Sequence, residues 1–233
     1  MRKAHVIAGM FAVAGAMAFG GKASADLITN GDFSMGNVGF TSGYVEDSSQ
    51  NAGLNAGANS GAGYYGIVTD SQYWHPLFTD FHDHTGDQAG LMMIVNGDNV
   101  TNTIVWSESG INVTPGDQYE LSFWAASAYP VSPATLNVTA SVNAASQTFD
   151  LTSDAGVWHQ FSMIFTATSS PTTISLADTN LELSGNDFAL DDISLTQIPS
   201  NAPAVPLPAS ALSGSVLLAG VAAANKLRKR RLV

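Results

Sequence analysis

Lysine and arginine are missing from the whole interior of this sequence. All eight Lys and Arg residues lie before position 23 or after position 225, whereas all 19 Asp and Glu residues lie between those positions. A nucleic-acid-binding surface needs cations against the phosphates. The charge distribution therefore excludes nucleic acid as a partner of the interior segment.

Cysteine is also absent, which excludes disulfides and thiol nucleophiles. No Gly-x-Ser-x-Gly motif is present, and without an interior cation a site for phosphoryl or carboxylate substrates lacks its usual partner. The sequence therefore predicts a protein that is not an enzyme. A polysaccharide-acting hydrolase stays open as a third choice, because a glycosidase needs only two carboxylates.

The first 25 residues have the layout of a cleavable signal peptide. Arg2 and Lys3 precede an apolar run over 6–19, and small residues follow at Ala23 and Ala25. Cations beside apolar segments stay on the cytoplasmic side of a membrane. We expect the signal peptide to span 1–25 and the remaining chain to be exported.

The C-terminal end has three parts. A Pro-rich linker over 199–208 is followed by an uncharged segment over 209–225 and a basic tail over 226–233. About 20 apolar residues cross a bilayer core, and cations on one side set the orientation. The pattern predicts a single transmembrane helix over 209–225 with a cytoplasmic tail, and an ordinary tail anchor is the alternative.

The motif Val205, Pro206, Leu207 and Pro208, then the apolar segment and the basic end, resembles the PEP-CTERM sorting signal of Gram-negative bacteria that make exopolysaccharide. The family usually has Glu where Leu207 stands. The resemblance implies an exosortase-type membrane enzyme as partner. It also implies transient anchoring in the inner membrane, followed by transfer to the outer envelope or the extracellular matrix.

The segment 26–198 has the length of one domain and the pattern of an all-β protein. Short alternating or β-branched stretches recur between turn residues, which favours an antiparallel jelly-roll β-sandwich. The stretch over 36–63 is rich in Gly, Asn and Ser and is expected to be a loop with at most one strand. The predicted strands are 64–69, 91–95, 103–106, 119–125, 136–142, 147–151, 158–165, 172–176 and 188–195.

Two segments, 27–33 and 188–195, resemble the first and last strands of galactose-binding-like jelly rolls, the fold of many carbohydrate-binding modules. The resemblance implies that these strands lie together and share a structural Ca²⁺, with Asp191 as the leading ligand and the carbonyl of Asp32 as its companion. Ser34 stands where such modules commonly have Glu. The alternative is that Asp191 and Asp192 form only a polar break in the strand.

Histidine and aspartate are concentrated over 75–87. His82 and His84 alternate with acidic residues, a ligand set that suits Zn²⁺. The alternative, which the sequence favours, is structural: His84 bonds a neighbouring turn, and Met92 or Met93 fills the core. The acidic residues concerned are Asp80, Asp83 and Asp87.

Aromatic residues near polar loops are candidates for sugar contacts, and we predict this role for Tyr73 and Trp74. Trp106, Trp124 and Trp158 fall within strand patterns and are expected in the core. The sequence thus predicts an exported protein whose sandwich binds or scaffolds extracellular polysaccharide. A structural surface or biofilm protein without glycan binding is the second choice.

Overall fold

The computed structural model describes residues 24–55, 61–101 and 103–199. The signal peptide up to residue 23, the sorting motif over 205–208, the apolar segment over 209–225 and the basic tail lie outside the described residues. Within those described ranges, no helix is long and apolar enough to cross a membrane.

The described domain contains ten strands and two helices of one turn each. The helices are α1 (Ala52–Asn55) and α2 (Ser71–Trp74). The strands are β1 (Val45–Glu46), β2 (Tyr64–Val68), β3 (Met92–Asn96), β4 (Ile104–Ile111), β5 (Gln118–Ser127), β6 (Thr135–Ala140), β7 (Ala145–Asp150), β8 (His159–Thr166), β9 (Thr172–Asp178) and β10 (Phe188–Ile198).

Two sheets pack face to face as an all-β sandwich of the jelly-roll kind. The six-stranded sheet has the order β1-β2-β3-β10-β5-β8, and the four-stranded sheet has the order β4-β9-β6-β7. Every pairing is antiparallel except that of β1 with β2. The last strand, β10, therefore lies in the middle of the larger sheet.

Alternation along the strands creates the core. In β5, Tyr119, Leu121 and Phe123 are buried between the sheets, while Ser122 and Trp124 on the other face are partly exposed. This is the period-2 pattern of a strand with one face against the core. A second cluster covers part of the outer face of the six-stranded sheet, and it contains Trp74, Phe78, Phe81, Met92 and Ile94.

All nine predicted strands are present, with ends that shift by up to five residues. The predicted loop over 36–63 contains β1 and α1. The segment 27–33, which we expected to be the first strand, is not a regular strand, because Asn30 and Phe33 have positive φ angles of 57° and 53°. It nevertheless lies along β10, with bonds from Leu27 N to Leu195 O and from Ile193 N to Gly31 O.

Candidate functional site

A β-bulge in β10 brings two acidic side chains to the same side of the strand. The register shifts between Asp191 and Ser194, and Asp192 has a left-handed φ of 46°. A bulge interrupts the alternation of side chains. As a result Asp191 Oδ2 accepts a bond from the backbone N–H of His84 at 2.9 Å, and Asp192 Oδ2 accepts one from His84 Nδ1 at 2.5 Å.

The ring of His84 lies flat against the indole of Trp124 on the outer face of β5, with centroids 3.8 Å apart. The ring of Trp158 meets His84 edge-on, with ring centroids 6.4 Å apart, and Trp158 Nε1 donates to the carbonyl of His82 at 3.0 Å. His82 points elsewhere, because its Nδ1 bonds the carbonyl of Thr69. The two histidines therefore do not share a site.

Burial dominates the electrostatics of this cluster. It raises the pKa of Asp191 to about 7; the bond from His84 N–H lowers that pKa, and the charges of Asp192 and Asp83 raise it further. The ligand atoms of His84, Asp191 and Asp192 all lie within 4.8 Å of one another. One imidazole with two carboxylates is a donor set that a transition metal could use.

Asp192 also lines a surface pocket of about 340 Å³. Asp32, whose carbonyl we predicted as a calcium ligand, lines this pocket, and Asp192 lines it where the prediction named Asp191. Asp26 contributes as well, and its Oδ1 accepts bonds from Ile28 N and Leu195 N. The full lining is Asp26, Ile28, Asn30, Gly31, Asp32, Asp192, Ile193 and Ser194. Its carboxylates and backbone carbonyls are the oxygen ligands that Ca²⁺ prefers.

The two aromatic residues selected from the sequence have different environments. Tyr73 is 46% exposed and lines a second open pocket of about 330 Å³ together with Ser48, Asp70 and Leu91. Trp74 has no exposed surface, and its Nε1 donates to the carbonyl of Asp47. This corrects the expectation for Trp74: its ring is part of the second apolar cluster and is not accessible to a glycan.

The remaining candidates are placed as follows. Met92 and Met93 are both buried, as the structural alternative predicted, and Trp106 is buried as well. Trp124 and Trp158 are only partly buried.

Sequence reasoning missed the pairing of Asp192 with His84. Two adjacent acidic residues inside an otherwise alternating strand were the available signal for a bulge.

A family model described as a carbohydrate binding domain matches residues 83–178. This segment is similar to a carbohydrate-binding family. The match begins next to His84 and continues to the end of β9, so it includes Trp124 and Trp158. It covers less than half of the 233 residues. No curated protein matches the chain in sequence.

Several solved structures of binding modules are similar to this chain. The CBM22-1 xylan-binding domain of Xyn10C from Paenibacillus barcinonensis is 14% identical, with a TM-score of 0.46 over 78% of this chain and 99% of that one. A CBM4 structure is 17% identical, with a TM-score of 0.35 over 46% of this chain and 83% of the other. The C-terminal domain of EclA, a sugar-binding protein, is 20% identical, with a TM-score of 0.36 over 40% of this chain and 66% of that one.

Proposed function

We propose that this chain is an exported, non-catalytic protein whose sandwich domain binds extracellular polysaccharide. The observation that carries the proposal is the match of residues 83–178 to a carbohydrate binding domain. The acidic interior without Lys or Arg supports it. Neutral glycans need hydrogen bonds and aromatic faces rather than cations.

The pocket that contains Tyr73 is the proposed glycan contact. An exposed aromatic ring offers its face to the apolar C–H surface of a sugar, and the neighbouring hydroxyl of Ser48 and carboxylate of Asp70 can bond sugar hydroxyls. Asp70 Oδ1 also accepts a bond from Tyr73 N and so caps α2. This cap fixes the backbone from which the Tyr73 ring projects.

The test is retention of the purified full-length chain by soluble polysaccharides in affinity electrophoresis, beginning with the exopolysaccharide of the host. Tyr73→Ala should weaken retention about fivefold or more, because one stacked aromatic contributes about 1 kcal/mol. Leu77→Ala is the matched control, since Leu77 is also exposed, four residues away, and lies outside the pocket lining.

Wild-type chain that is not retained by any glycan would reject this function. Concentration-dependent self-assembly in that case would favour the structural surface or biofilm protein. Depolymerisation of a glycan that is lost on replacing one carboxylate would favour the hydrolase instead.

We also propose export and sorting by an exosortase-type enzyme, with the two terminal segments as the support. The test is the mass of the protein recovered from the envelope or the medium of its host. A mature form that begins near Asp26 and ends near the 205–208 motif is expected. Recovery of the intact 233-residue chain would reject the sorting proposal.

Calcium is proposed for the pocket beside β10. Asp32 and Asp192 would hold it together with backbone carbonyls, while Asp191, bonded to two backbone N–H groups, would hold the bulge in place. A bound Ca²⁺ would supply positive charge between the N-terminal segment and β10. EDTA should lower the Tm of the wild-type chain, and an unchanged Tm would reject a bound calcium.

A further inference from the structure

A buried polar cluster lies at one end of the sandwich, away from the bulge of β10. Asp178 is the last residue of β9, and Asn186 and Asp187 directly precede β10; their exposed fractions are 3%, 0% and 7%. Because β9 belongs to the four-stranded sheet and β10 to the six-stranded sheet, the cluster connects the ends of both sheets.

Two oxygen atoms in this cluster accept no hydrogen bond within the described part of the chain, namely Asp178 Oδ2 and Asn186 Oδ1. The other atoms of both side chains are engaged. Asp178 Oδ1 accepts bonds from Thr135 N at 3.2 Å and Asn180 N at 3.0 Å. Asn186 Nδ2 donates to Asp98 O at 3.0 Å and Asn180 O at 2.8 Å.

Both side chains are thus bonded to the backbone of Asn180, one to its N–H and the other to its carbonyl. This shared partner brings Asp178 and Asn186 together and leaves their two unpaired oxygens inside the same buried region. An Asn amide donates through its nitrogen only, and an ionised carboxylate cannot donate. While Asp178 is ionised, its Oδ2 and the Oδ1 of Asn186 therefore cannot satisfy each other.

The surroundings add further oxygen atoms. Asp187 Oδ1 accepts a bond from Gly97 N at 3.2 Å, and the hydroxyl of Tyr44 accepts one from Asp98 N at 3.1 Å. A Cβ on Gly97 would overlap the amide of Asn186, so a glycine is required for this close packing. No Lys or Arg occurs among the described residues, so these carboxylates have no cationic side chain as a partner.

We propose that this cluster, with Asp178 Oδ2 and Asn186 Oδ1 as first ligands, binds a hard cation of the Ca²⁺ class. The donor atoms are all oxygens, with carboxylate, amide and phenol represented, which is the ligand chemistry of Ca²⁺ rather than of Zn²⁺. In the part of the chain that the structure describes, Asp178 Oδ2 thus accepts no hydrogen bond, and its carboxylate has no cationic side chain as a partner, which is unfavourable for a buried charge. A cation bound at Oδ2 would compensate for both.

Burial also affects the protonation of the groups in this cluster. Burial raises the pKa of Asp178 to about 6 and that of Asp187 to about 7, and the charge of Asp178 contributes to the latter. Burial also raises the pKa of Tyr44, with further contributions from Asp178, Asp98 and Asp187. A bound cation would lower all three pKa values, because it stabilises the ionised forms.

The test separates this site from the pocket that contains Asp192. The full-length chain carrying Asp192→Asn is stripped with EDTA, and its Tm is measured during titration with CaCl₂. We expect Ca²⁺ still to raise the Tm. Adding Asp178→Asn should weaken the apparent affinity about tenfold or more, since a ligand charge is removed. Adding Asp154→Asn, an exposed residue, makes the same charge change as a control and should leave the affinity unchanged.

Two results would overturn the proposal. One is a Tm in the Asp192→Asn chain that does not respond to CaCl₂. The other is a calcium response that Asp178→Asn leaves intact. If Asp178→Asn prevents folding, Asp187→Asn replaces it, because an amide oxygen can still accept the bond from Gly97 N. An Asp178→Asn or Asp187→Asn variant that folds, and that is more stable than its parent both with and without calcium, would indicate that this cluster binds no cation.

Discussion

The imidazole of His84 stacks on the indole of Trp124, with the rings 18° from parallel and their centroids 3.8 Å apart. His84 is on the segment before β3, and Trp124 is on β5. The contact therefore attaches the His- and Asp-rich segment to the outer face of the six-stranded sheet. The bond from His84 Nδ1 to Asp192 holds the ring in this position.

His84→Ala should destabilise the domain by about 1–3 kcal/mol, because it removes both the aromatic contact and the bond to Asp192. The backbone bond from His84 to Asp191 is retained. The measurement is urea unfolding followed by tryptophan fluorescence. His159→Ala is the control, since His159 is also partly buried and makes one side-chain bond, to Thr152. Equal losses in the two variants would contradict a special role for the His84 contact.

Trp74→Ala should cost about 3–5 kcal/mol of unfolding free energy, the usual range for a large aromatic removed from a core. Gly53 and Gly66 pack directly against the Trp74 ring, so the cavity would be lined by backbone that cannot move in to fill it. Tyr73→Ala should cost less than about 1 kcal/mol, because Tyr73 is largely exposed. Thermal or urea unfolding measures both. Similar losses in the two variants would contradict the burial of Trp74 and the exposure of Tyr73.

Gly31→Ala should destabilise the domain by about 1–3 kcal/mol, because the added Cβ would overlap the carbonyl of Ile193. The N-terminal segment would then separate from β10, and the pocket that Asp32 lines would open. We expect a lower Tm and a smaller effect of EDTA. Met35→Ala, at an exposed position, should change neither. An unaltered Tm for Gly31→Ala would show that the close approach to β10 is not required.

Asp187 makes stability depend on pH in a defined direction. Its folded-state pKa of about 7 lies above the value of about 4 expected in the unfolded chain. The folded state therefore binds the proton more tightly. The stabilisation that Asp187 gives to the folded state is present below about pH 4 and is lost as the pH rises to about 7.

Asp187→Asn removes this loss. Relative to wild type, and with EDTA present, the variant should become more stable as the pH increases from about 5 to about 8. Urea unfolding at both pH values measures the difference. Asp154→Asn should show no such trend. A difference between Asp187→Asn and wild type that does not vary with pH would contradict the assignment.

The sequence predicted strands well and the site less well. Alternation in β5, from Tyr119 to Phe123, is a local property, because side-chain direction follows from the extended backbone alone. Asp32 and Asp191 were selected by a resemblance to galactose-binding-like jelly rolls and not by alternation, and the structure places Asp32 in a pocket with Asp192. The bulge that moves Asp192 there changes the register by local geometry that alternation does not encode.

The sequence by itself determined the charge segregation and the strand pattern of the domain, because these depend on residue order and on contacts between neighbours. Only the tertiary structure decided that Trp74 is buried while Tyr73 is exposed, since the covering comes from Gly53 and Gly66 in other segments. It also decided that Asp178 and Asn186 share one buried region. Contacts of this kind depend on how the two sheets meet, and the residues between them carry no periodic signal of it.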